Sequence, residues 1–154
     1  MPRTTPLLFC LLLLGCSAET APEPPTPPPP PPVEPVELAE ALPASLLERD
    51  RRSLDTSAQA ALGAEVTKAT AEYGELTVAL TDFQTLEMAR MMGYAGLAAS
   101  DERHLGHPVE RSQAANSAAT LLLIGNRVLV EVTAGSSEEA DAALAELDLA
   151  ALRR

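Results

Sequence analysis

Six consecutive prolines, Pro27 to Pro32, sit within a tract from Pro22 to Pro35 that holds most of the fourteen prolines of the chain. Proline fixes φ and has no N–H to donate, so such a run cannot join a helix or a sheet ladder. It favours polyproline II, which rises about 3.1 Å per residue and acts as a semi-rigid spacer. The tract therefore divides the chain into an apolar N-terminal stretch and a C-terminal part that must fold without it. Glu19, Glu23, Glu34 and Glu37 lie among or beside the prolines. Proline-rich ligands usually rely on flanking basic or aromatic residues for specificity, so the tract reads as a stalk rather than a docking motif.

Upstream of the stalk, Arg3 supplies a positive charge, and Leu7 to Leu14 form an apolar run ending in Leu13-Leu14-Gly15-Cys16. The run is far short of the ~20 residues needed to span a bilayer as a helix, so it reads as the apolar region of an export signal. The four residues resemble the lipobox of bacterial lipoproteins. That resemblance implies cleavage before Cys16, a thioether to diacylglycerol on its sulfur, and acylation of the new amine. Two or three acyl chains give stable anchoring where one is marginal. Ser17 resembles the outer-membrane sorting residue of enteric lipoproteins. The expected location is the bacterial cell envelope, lipid-anchored at the outer membrane and facing the periplasm or the cell surface.

Cys10 leaves with the signal and Cys16 carries lipid, so the mature chain has no disulfide, thiolate metal site or cysteine nucleophile. The net charge is −11, and Lys68 is the single lysine. A nucleic-acid partner would require a positive stripe to displace phosphate counterions. None is present beyond Arg49, Arg51 and Arg52. Attachment to an anionic membrane surface must come from the acyl chains rather than from charge.

The predicted organisation is a signal peptide over 1–15, a lipidated and disordered linker over 16–43, a short helical or partly ordered segment over 44–62, and a small domain over 63–154. Within that domain, 64–73 and 76–83 alternate around Gly74-Glu75 and predict a hairpin. Residues 84–99 switch to helical spacing, with Asp82 as N-cap and Leu86, Ala89, Met92, Gly93 and Leu97 along one stripe. Residues 100–117 read as a polar loop. A second hairpin, 119–124 and 127–133, turns on Gly125-Asn126 with a type II′ geometry. Ser136 and Glu139 form a capping box for a last helix carrying Ala140, Ala143, Leu144 and Leu147. The expected fold is α+β: a two-layer antiparallel sheet of two hairpins with helices on one face, in ββα-ββα order.

One cluster invites chemistry. His104 and His107, with Asp101 or Glu110, offer nitrogen and oxygen ligands to zinc or nickel. Gly106 and Pro108 oppose the regular helix that would align them, and the spacing lacks the HExxH pattern. Met88, Met91 and Met92, together with the histidines, would suit copper, although methionine at helical spacing more often fills a core. No serine lies in a G-x-S-x-G context, and no glycine-rich phosphate loop is present. The expected protein is a non-catalytic envelope lipoprotein that uses no cofactor. It is held to the membrane by its acyl chains, binds another envelope protein and does not bind nucleic acid. The competing expectation is a lipoprotein that binds a small ligand or a metal (Zn, Ni or Cu).

Overall fold

The structure is a computed structural model and describes residues 28, 31–32 and 35–153; Cys16, the signal peptide and most of the proline tract lie outside the described residues. Its centre is a seven-stranded antiparallel sheet. The strands, with a two-residue hairpin ahead of them, are β1 (Ser45–Leu46), β2 (Arg49–Asp50), β3 (Ser53–Ala61), β4 (Ala64–Tyr73), β5 (Leu76–Asp82), β6 (Arg103–His104), β7 (His107–Ala114), β8 (Ser117–Ile124) and β9 (Val128–Ala134). β1 and β2 pair only with each other, and the large sheet runs β3-β4-β5-β9-β8-β7-β6.

This overturns the expected two-hairpin α+β fold. Each hairpin gains a third strand, so two meanders, β3-β4-β5 and β7-β8-β9, meet where β5 pairs with β9. Residues 53–61 carry little β propensity, yet they are drawn into the sheet by unbroken pairing with β4. The polar loop expected at 100–117 contains β6 and β7. Pro108 near the start of β7 is tolerated because that strand lies at the sheet's edge region, paired beyond only with two-residue β6.

Helices cover both faces rather than one. On the first face, Tyr73, Val78, Leu80, Leu122, Val130 and Val132 are buried in one cluster with Leu38, Leu42 and Leu46 and with Ala140, Ala143 and Leu144. Leu38 comes from α1 (Pro35–Glu40), Leu42 from the turn after it and Leu46 from β1, and the last three from α4 (Ser137–Glu146). The core thus reaches upstream of residue 63. Tyr73 Oη donates to Pro43 O at 2.8 Å, and Arg51 Nη1 donates to Leu42 O at 2.7 Å, fastening that upstream segment to the sheet. Burying such leucines contributes roughly 1.5–3 kcal/mol each.

On the second face a smaller cluster joins Phe83, Met88, Ala89, Leu97, Leu123 and Leu129. The helical segment above it is broken: α2 (Leu86–Ala89), a π-helical turn over Arg90–Tyr94, then α3 (Ala95–Ala98). Gly93, at φ 103°, kinks the turn, a conformation that glycine adopts at little cost. Thr85, not Asp82, caps α2, accepting from Met88 N at 3.2 Å. Asp82 ends β5 and is engaged by Arg127. Ser136 caps α4, with Glu139 Oε2 reaching back to Gly135 N. The β8–β9 turn has positive φ at both Gly125 and Asn126, which makes it type I′ rather than II′.

Candidate functional site

Three places draw on side chains that folding alone does not fully explain: the outer edge of β3 with the groove beside it, a buried ion pair, and the histidine region.

β3 forms the terminal strand of the sheet, and its residues from Leu54 to Ala60 are all exposed. It pairs with β4 in continuous register from Ser53 opposite Glu72 to Ala61 opposite Ala64, with no bulge. Its sequence, SLDTSAQAA, has no proline and no lysine. Natural sheets blunt free edges with short strands, prolines, lysines or bulges. The opposite edge does so: β6 has two residues, and β7 carries Pro108, Glu110 and Arg111. β3 uses none of these devices beyond Asp55.

Beside this edge, on the second face, Ser57 and Gln59 of β3, Val66 and Lys68 of β4, and Phe83, Met92 and Tyr94 border a groove of about 210 Å³. The Gly93 kink shapes its wall. Met88 stays buried in the core, whereas Met91 and Met92 turn outward, at 53% and 44% exposure. Tyr94 packs against Phe83 as a tilted ring pair, with centroids 5.4 Å apart. Burial, with the nearby Glu131 carboxylate, pushes the Tyr94 phenol above its ordinary pKa, so it stays a neutral hydrogen-bonding group.

Asp82 and Arg127 form the buried pair. Arg127 Nε and Nη2 donate to the two carboxylate oxygens at 2.7 and 2.6 Å, and Asp82 Oδ1 also accepts from Gln84 N at 2.8 Å. Hydrogen bonding to Asp82 holds the Arg127 guanidinium above its already high pKa. The fork ties the β8–β9 turn to the end of β5, from which the Phe83 side of the groove departs.

The two histidines face arginines rather than carboxylates. His104 and His107 are direct partners across β6 and β7, but each faces a guanidinium. His104 Nδ1 lies 3.3 Å from Arg111 Nη2, and His107 Nε2 lies 3.0 Å from Arg153 Nη2. Glu110 lies three residues beyond His107 on the same strand, which directs it to the opposite face. Asp101 is exposed outside the strands. Among the described residues, no three His, Cys, Asp or Glu side chains gather as a ligand set. Arg111 instead serves as a hub, bonded to Glu102 and, at 3.0 Å, to Asp141 of α4. The methionines do not join the histidines either, since Met92 borders the groove over β3 and β4.

The edge, the groove and the Asp82–Arg127 fork all escape sequence reasoning. The available signal was Ser53 to Ala61 itself, whose alternate positions Leu54, Thr56, Ala58 and Ala60 are small or apolar. No known protein family, curated protein or solved structure matches the chain.

Proposed function

We propose that this chain is a lipid-anchored, non-catalytic envelope lipoprotein that captures an extended segment of another envelope protein along β3. The observation that carries the reading is the nine-residue edge, which has no proline, lysine or bulge while the other edge is guarded. Strand addition supplies main-chain hydrogen bonds, and neighbouring pockets supply side-chain specificity.

The groove argues for a partner other than a second copy. In two-fold pairing of β3 with itself, the second strand would present Ser53, Asp55, Ser57, Gln59 and Ala61 on the groove face. None is long and apolar enough to fill a space walled by Val66, Phe83 and Met92. The favoured occupant is a strand carrying one aliphatic or aromatic side chain opposite Ser57 or Gln59. Cys16 acylation and the proline stalk would hold this edge away from the bilayer, where such segments are accessible.

The test is site-specific photo-crosslinking from Gln59 in the full-length, membrane-attached protein. Expected is one adduct whose crosslinked peptide is extended and apolar at the contact, lost in Ala58→Lys and weakened roughly tenfold by Met92→Ala, a change of about 1.4 kcal/mol. An adduct of the chain with itself, or equal crosslinking from Glu110 at the guarded edge, would refute strand capture. The anchor is tested apart from this: Cys16→Ser should abolish palmitate labelling and leave an uncleaved or soluble form.

A further inference from the structure

At the β6–β7 edge, well apart from the β3 groove, an open cleft of about 560 Å³ lies between the turns at Gly106 and Gly125. Its side chains include Arg103, His107, Asn126 and Arg153, and among the described residues no carboxylate lines it. That is unexpected for a chain with 22 acidic residues against 11 basic ones. Three other arginines pair with acids: Arg49 meets Glu139, Arg111 meets Glu102 and Asp141, and Arg127 meets Asp82.

Among the described residues, Arg103 and Arg153 meet no carboxylate. Arg103 Nη1 turns to the carbonyls of Ser100 and Glu102, at 2.5 and 3.3 Å. Arg153 donates to His107 Nε2, which leaves the His107 proton on Nδ1. The nearest acid of that loop, Glu102, is engaged by Arg111. Two guanidinium groups, a histidine and the Asn126 amide therefore share a cleft to which the described residues bring no counter-charge.

We infer that this cleft binds a phosphate-bearing anion, with Arg103 and Arg153 as the charged donors and His107 as a third donor once protonated. Guanidinium forks match the oxygen geometry of phosphate and pair with it through charge-assisted hydrogen bonds. Burial, followed by the Arg153 charge, holds His107 below its ordinary pKa. A bound dianion reverses that field, so binding and protonation reinforce each other.

The test uses the mature protein in uncharged detergent micelles, following the His107 ring proton by NMR with His104 as internal reference. Inorganic phosphate should raise the His107 pKa by about one unit relative to chloride, equivalent to about tenfold tighter binding by the protonated form. It should also raise the melting midpoint. Micelles doped with phosphatidic acid form the second arm. A response to phosphate indicates a soluble ligand, and a response only to the lipid indicates a headgroup; either supports the site. Arg153→Ala and Arg103→Ala, each first shown to melt like wild type without ligand, should abolish the response. Silence in both arms, or an undiminished response in Arg153→Ala, would overturn the inference.

Discussion

Replacing Arg127 with methionine removes the two guanidinium donors from the Asp82 carboxylate while keeping most of the side chain's volume. Asp82 is fully buried and the Arg127 side chain only 10% exposed, so solvent cannot replace the lost partner without rearrangement. Removing one partner of a buried ion pair costs about 3–5 kcal/mol. The Gln84 N–H still reaches Asp82, which places the expected loss at the lower end, about 3 kcal/mol. With a urea m-value of about 1.5 kcal/mol/M, that moves the unfolding midpoint down by about 2 M at unchanged m. The double variant Asp82→Leu/Arg127→Met removes the pair altogether and should recover most of the loss, because paired buried charges contribute little net stability. Chemical denaturation of the three proteins reads the outcome directly. A loss below 1 kcal/mol in Arg127→Met, or a double variant no better than the single, would show that the fork is not what holds this corner.

Tyr73→Phe removes the bond to Pro43 O and should cost about 1 kcal/mol in urea unfolding. In the wild type, burial raises the Tyr73 pKa against an opposing pull from Arg51. The native state keeps a proton that the unfolded chain has lost, so stability should fall as pH rises above about 10, and Tyr73→Phe should flatten that limb. His107 has the opposite sign: its lowered pKa means the unfolded state binds more protons, so stability present at neutral pH should decline as pH drops below about 6.5. Thermal melts across pH 5–8 check this, and phosphate should blunt the decline. Ser136→Ala removes the acceptor for Glu139 N and should cost about 1 kcal/mol by denaturation.

What was legible in the sequence were the elements whose local chemistry agrees with their tertiary role. Gly125-Asn126 between two β-branched runs, and Ser136 with Glu139, announce a turn and a helix start without help from the rest of the chain. β3 was hidden because alanine, serine and glutamine express no strand preference, and an edge strand exposed on both faces has no reason to alternate strongly. β7 was hidden by Pro108 and its charges, the same residues that guard it as an edge. Asp82 looks like a helix cap in isolation. Only the fold brings Arg127 to it across 45 positions of sequence, leaving Thr85 to cap α2. The candidate site was legible in fragments: the methionines were visible, but their division between core and groove depends on the Gly93 kink.

The pairing of β5 with β9 governs how the molecule can assemble. Leu80 must find Val130, and Val78 must find Val132, across the whole intervening meander. Long-range closure of that kind is slow. Until Val128 to Ala134 is available, β5 is itself a naked border, with Leu76, Val78 and Leu80 on one face and nothing beside them. Chains halted or clipped before β9 should therefore associate with one another rather than fold, and the first half of the protein waits on the last strand made.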